Sequence, residues 1–261
     1  MSRIVLIDGD SILQKAFYSV PMMTDTAGFH TNAVYGFLNL LFRITTEKNE
    51  SEKPEYLSVV FESDNADSQK DLQKMPAALC EQLPVLKELL SAMNIYIVEK
   101  AGCKVIDIIG TITARLDKKM TVVSGNRDFL QFASEHVKVS LLATGEGKME
   151  FVDYEAVPAH FCEALILSKA LGIGEKTVAN LLDTYETVEN LYAHTDELPQ
   201  KSIREKFEEN KENIDRYRDF YTIHTDAAVD FSDEKARFDA DSLFTIEADA
   251  RLRQFGLSGK F

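Results

Sequence analysis

The sequence predicts an α/β fold, a doubly wound and mainly parallel sheet with helices on both faces, followed by a helical subdomain. Short apolar runs alternate with amphipathic stretches from residue 4 to residue 142, several of these runs end in an acidic corner, and strand signals largely vanish after Tyr154. The expected division is therefore an α/β core over residues 1–154 and a helical part over residues 155–261.

Ile4-Val-Leu-Ile7 is a run of branched residues that reads as a strand buried on both faces, and it stops at Asp8-Gly9-Asp10. A short helix over 11–18 follows, capped by Asp10 or Ser11, and then a loop over 21–29. Residues 31–46 form a helix with Val34, Phe37, Leu38, Leu41 and Ile44 on one face. Tyr56-Leu-Ser-Val-Val-Phe61 is the next strand and ends at Glu62. After a polar loop, Pro76 opens a helix with Leu79, Leu83, Leu86, Leu90 and Met93 on one stripe. Ile95-Tyr-Ile-Val98 is a third strand, Asp107 starts the helix after it, and Met120-Thr-Val-Val-Ser124 is a fourth strand running into Gly125-Asn-Arg-Asp128. A helix through Phe129 and Phe132, a strand over 137–142, a turn over 144–147 and a strand over 149–152 complete the core. Helices are expected over 155–171, 175–185, 188–193 and 202–221.

Lys and Arg number 29 against 43 Asp and Glu, a formal net charge of −14, which excludes broad attraction to phosphate backbones or anionic membranes. Any contact with nucleic acid has to be local. Cys80, Cys103 and Cys162 lie far apart and read as reduced thiols, neither a disulfide framework nor a zinc site. No apolar run approaches the roughly 18–20 residues of a membrane span, and Met1-Ser-Arg3 enters the first strand without the pattern of a signal peptide. The expectation is a cytoplasmic protein with no membrane association.

Two constellations carry chemistry. The strand-to-helix corners bear Asp8 with Asp10, Glu62, Asp107 and Asp128, and in a doubly wound sheet such corners converge on one edge. Carboxylates gathered without His or Cys suit Mg²⁺ or Mn²⁺, and a pair of such ions is the usual clamp for phosphodiester hydrolysis. The alternative is that each acid only caps the helix after it. The second constellation is Gly172-Ile-Gly-Glu-Lys-Thr177, a glycine turn between helices that can offer backbone N–H groups to a phosphate, with Lys176 and Thr177 beside it. A plain helical hairpin is the alternative here. A nucleotide P-loop is a poor alternative, because it needs a strand before it and Gly directly before Lys-Ser/Thr, whereas Glu175 intervenes here; no nucleotide cofactor is expected.

These stretches, together with His30-Thr-Asn-Ala-Val-Tyr-Gly-Phe37, Asp107-Ile-Ile-Gly-Thr111 and Ser124-Gly-Asn-Arg-Asp128, resemble the 5′-nuclease domains of bacterial DNA polymerase I, within the flap-endonuclease superfamily. They occur in the family's order and cover the chain nearly end to end. The resemblance implies a two-metal 5′→3′ exonuclease and flap endonuclease. Asp8, Asp107 and Asp128 would then be catalytic, and Asp8, Glu62, Asp107 and Asp128 would be the metal ligands. It also implies a helix-hairpin-helix that grips DNA through Gly172, Ile173, Gly174, Lys176 and Thr177, with K⁺ at the hairpin. Lys70 and Lys74 would be phosphate contacts in a shortened arch over 65–74, and the partner would be duplex or 5′-flap DNA bound by a monomer.

The departures change that implication. Lys104-Val-Ile-Asp107 stands where the family has Glu-Ala-Asp-Asp, Asn126 replaces an acid, and Glu62 replaces the family's Asp. The acidic block that supplies second-metal ligands is missing, because Lys169-Ala-Leu171 runs directly into Gly172. The expectation is a retained fold with weak or lost hydrolysis. Its alternatives are a non-catalytic DNA-binding paralogue and a single-metal nuclease completed by a partner.

Overall fold

The computed structural model describes residues 3–46, 53–63, 75–145, 148–157 and 159–261. Lys70, Lys74 and the centre of the expected 144–147 turn lie outside the described residues.

Strand β1 (Arg3–Asp8) leads into helix α1 (Gly9–Ser19), then α2 (Asn32–Thr46), β2 (Tyr56–Glu62), α3 (Gln82–Ala92), β3 (Tyr96–Lys100), α4 (Val105–Arg115) and β4 (Lys119–Ser124). A 3₁₀ segment, Arg127–Phe132, connects to the hairpin of β5 (Val137–Gly145) and β6 (Lys148–Tyr154). The six-stranded sheet has the order β3-β2-β1-β4-β5-β6. All pairings are parallel except β5 with β6.

Burial explains why β1 is central. Ile4 and Leu6 are fully buried and alternate with Val5 and Ile7, which are buried in the core shared with α1, α2 and α3. A strand buried on both faces has to lie inside a covered sheet. Ile7 lies in register with Val59 of β2 on one side and Val123 of β4 on the other. The β1–α1 corner is tight: a Cβ at Gly9 would come within 2.3 Å of the Phe61 ring, so the corner admits only glycine without displacing that ring.

Helix α2 is tied to α3 by a buried amide. Gln82 is 0% exposed, and its Oε1 accepts from the N–H groups of Ala33 (2.8 Å) and Val34 (3.3 Å). Its Nε2 donates to Asn32 Oδ1 and to the carbonyl of Ala78. The side chain thus serves the open amides of the first turn of α2 from a neighbouring helix.

The chain forms two compact units, Met1–Ala156 with His224–Phe261, and Val157–Ile223. This differs from the expected division at 154, because the last residues return to the sheet. Helix α10 (Ile246–Gln254) brings Ala248 and Leu252 into the core with Leu86, Leu89 and Leu90, joined by Leu243 and Leu257. Thr245 donates to the carbonyl of Ala92.

The second unit holds α5 (Phe161–Leu171), α6 (Glu175–Tyr185), α7 (Val188–Ala193), α8 (Lys201–Glu209) and α9 (Lys211–Tyr221) around Leu167, Val178, Leu182, Leu191 and Phe207. Three boundaries differ from expectation. Helix α5 begins at Phe161 because His160 takes a left-handed conformation, φ 54°. The expected 202–221 helix breaks at Asn210, whose side chain donates to the Lys206 carbonyl and accepts from Asn213, competing with the helical ladder. The helix expected through Phe129 is 3₁₀.

Replacing Gln82 with Met should keep the volume but strand two amides. The expected loss is about 2–3 kcal/mol in urea unfolding, and an unchanged stability would show the amides are served otherwise.

Candidate functional site

The acidic corners are built from the ends of neighbouring strands. Asp8 ends β1 and is 3% exposed. It is the N-cap of α1, in place of the expected Asp10 or Ser11, because its own carboxylate accepts from the Ser11 N–H at 3.2 Å. The same carboxylate accepts from the hydroxyls of Ser11 (2.6 Å) and Ser124 (2.7 Å). Both hydroxyls are in turn acceptors, Ser11 Oγ from the Gly125 N–H and Ser124 Oγ from the Asn126 N–H. Two amides of the β4 corner thus feed two hydroxyls, which lie 3.2 Å from each other and each reach the Asp8 carboxylate. Burial pushes the Asp8 carboxyl up from its ordinary pKa, and the bonds from Ser11 and Ser124 oppose that push.

Asp10 is directed to β2, where its Oδ2 accepts the Glu62 N–H at 2.7 Å. Burial raises its pKa to about 7; the Glu62 amide and Lys87 oppose this rise, whereas the charges of Asp8 and Glu62 reinforce it. Glu62 itself ends β2 in register with Lys100.

Asp107 does different work. It lies in the first turn of α4, 7% exposed, and its Oδ1 accepts the backbone N–H of His224 at 2.9 Å. One helical turn on, Thr111 Oγ1 accepts the Ala227 N–H at 3.2 Å, and a turn further Arg115 donates to the carbonyls of Ala227 (2.7 Å) and Val229 (3.2 Å). Positions i, i+4 and i+8 of one helix face therefore hold the backbone of the segment that returns from the second unit. Asp128 is half-buried, with Asn126 as its neighbour: Asn126 Oδ1 accepts the Asp128 N–H at 3.0 Å and caps the 3₁₀ segment. An Asp at 126 would cap equally well; Asn keeps the cap and omits the charge.

Among the described residues, no group of three or more His, Cys, Asp or Glu side chains could hold a metal ion. The expected ligands Asp8, Glu62, Asp107 and Asp128 are thus not gathered as such a group. Two ions bridged by shared carboxylates do not fit this donor set.

The hairpin is described within the second unit alone. Gly172 ends α5 in the left-handed region, φ 60°, and Gly174 precedes α6 without a side-chain cap. Thr177 and Val178 send their N–H groups to the Gly174 carbonyl. Lys176 is exposed in the first turn of α6, and Ile173 packs partly into the unit's core. Lys206, which carries no sequence signal, donates from Nζ to the Gly172 carbonyl at 2.6 Å. Ser11 and Ser124 were also missed as partners of Asp8; only the Asp8 to Ser11 spacing signals a cap.

Two outcomes follow from this bonding. Asp107→Ala should lower stability by about 1–3 kcal/mol by stranding the His224 amide, while Asp107→Asn, which keeps an acceptor, should stay near wild type. If both substitutions raised stability, Asp107 would instead be a strained ligand. Asp10 is more basic in the fold than its ordinary 3.8, so between about pH 4 and 7 the unfolded chain ionises first and stability falls as pH rises. Asp10→Asn should remove that slope, gaining stability over wild type at pH 8 but not at pH 4 in parallel urea titrations.

Comparison with known proteins agrees with this architecture. The 5′-3′ exonuclease N-terminal resolvase-like domain matches residues 3–162, and the 5′-3′ exonuclease C-terminal SAM fold matches residues 168–242. DNA polymerase I of Bacillus caldotenax is 34% identical over 256 residues, covering 88% of this chain and 29% of that protein. The chain thus spans less than a third of the polymerase's length. A 5′-3′ exonuclease of Aquifex aeolicus is 29% identical over 258 residues, covering 90% of this chain and 86% of the relative. Among solved structures, a bacteriophage T5 flap endonuclease complex with DNA and metal ions superposes with a TM-score of 0.58 at 12% identity, over 85% of this chain and 90% of that one. T5 5′-exonuclease with bound zinc gives 0.58 at 14% identity, over 96% and 98%. At such identities the superpositions speak for the fold alone. The match over residues 3–162, more than half of the chain, shows that this protein belongs to the 5′-3′ exonuclease family.

Proposed function

We propose that this chain binds duplex or branched DNA through its Gly172–Thr177 hairpin and that its phosphodiester hydrolysis is weak or lost. The observation that carries the second half is the bonding of Asp8. A carboxylate has about four acceptor positions, and here three are taken by the Ser11 amide and the two hydroxyls. What remains suits at most a single contact and no bridging role. Lys104, Ile106 and Asn126 stand where a second ion would need negative charge. Loss of one electrostatic stabiliser costs about 3–4 kcal/mol of transition-state energy, and several losses in one cluster compound it. Binding of DNA as proposed therefore does not require Mg²⁺ or Mn²⁺, and only the weak residual hydrolysis would.

The first half is supported by the hairpin's local charge. The chain carries −14 overall, yet Lys169, Lys176 and Lys206 around the turn have no ion pair to a carboxylate among the described residues. The uncapped first turn of α6 suits a phosphate oxygen, and Thr177 adds a hydroxyl. We place this activity in the cytoplasm.

A 5′-flap substrate should bind with an affinity that falls steeply with salt and remain uncleaved in Mg²⁺ or Mn²⁺. Lys176→Glu should weaken binding about tenfold and lower the salt slope by about 1–2. Metal-dependent cleavage abolished by Asp8→Ala would overturn the non-catalytic reading. Asn126→Asp with Ile106→Asp should not restore cleavage, because the acidic block before the hairpin is still absent.

A further inference from the structure

We propose that the Lys206 ammonium is the hairpin's built-in monovalent cation, so that the turn holds its shape and meets a phosphate without binding K⁺. The inference rests on reading the hairpin as a backbone-binding element. Its structural part stands without DNA.

Gly172 lies at the C-terminal end of α5, where carbonyl groups lack intrahelical partners and the helix dipole adds partial negative charge. A cation is the natural complement at such an end. Here it is supplied covalently from α8, with Nζ 2.6 Å from the Gly172 carbonyl, a charge-assisted bond between residues 34 positions apart. Its neighbours Ile203 and Phe207 are buried in the unit's core, which fixes the helix that presents Lys206. The side chain therefore starts from an anchored backbone.

A K⁺ ion gives up its water only where several oxygens replace it. At this turn the Gly172 oxygen already faces an ammonium, and a second cation beside it would be repelled by that charge. The residues present do not fit K⁺. An ammonium has three N–H groups, and the Gly172 carbonyl uses one. Lys206 has no carboxylate partner among the described residues, so its other donors can serve a phosphate oxygen.

The test uses the whole chain and a labelled 20-base-pair duplex, with KCl and LiCl compared at equal ionic strength. Wild-type affinity should agree within twofold between the salts. Lys206→Met should bind at least fivefold more weakly in LiCl and recover at least threefold in KCl, whereas Lys206→Arg should keep the salt indifference. A wild-type preference for KCl of threefold or more overturns the proposal, as does a Lys206→Met protein that binds like wild type in both salts. Thermal unfolding without DNA gives the independent arm. The wild-type midpoint should be the same in both salts, and a midpoint raised by KCl overturns the proposal even if Lys206→Met fails to fold. Absence of duplex binding with a salt-indifferent midpoint would instead refute the DNA reading and leave Lys206 as the structural cation.

Discussion

The corner of this fold depends on one buried carboxylate. Asp8 ends the central strand, and placing a carboxylate there is costly unless its oxygens are bonded. Ser11 binds it to the first turn of α1, and Ser124 binds it to the end of β4, so strand, helix and neighbouring strand are fixed at one point. Gly9 lets the chain turn against Phe61 immediately afterwards. The same bonds that make the corner rigid take up three of the roughly four acceptor positions of the carboxylate. Structural bonding and metal coordination would draw on one set of atoms here.

The other acids follow the same division of labour. Asp107 stands beside Lys104 and Ile106, and it holds the amide of His224 together with the work of Thr111 and Arg115. Asn126 likewise caps the 3₁₀ segment, without a charge. The second unit has its own core around Phe207 and Leu182, and Lys169, Lys176 and Lys206 lie around its glycine turn in an otherwise acidic chain.

Much of the fold was legible because burial on both faces leaves continuous apolar runs. Residues 4–7, 57–61 and 120–123 read as strands and are strands. The order of those strands was not legible, and so neither was the meeting of Ser124 with Asp8: serine beside a turn is ordinary until β4 is known to lie next to β1. Asp107 read as a corner acid because its sequence neighbours match a motif, while its partner His224 lies 117 positions away. Asn210 split an expected helix through local bonds that compete with the helical pattern. Residues 224–261 were assigned to the helical part by sequence proximity, yet Leu243, Ala248 and Leu252 pack with the sheet. Lys206 was invisible because nothing in its neighbourhood marks it as the partner of Gly172.

The central claim is that Asp8 is a structural acceptor and no longer the bridge of a two-metal centre. Titration of the intact chain with Mn²⁺, followed by electron paramagnetic resonance of the free ion, tests it most directly. The account predicts no pair of sub-millimolar sites and the same isotherm for wild type and Asp8→Asn. Two Mn²⁺ ions bound per chain, lost together on Asp8→Asn, would contradict it.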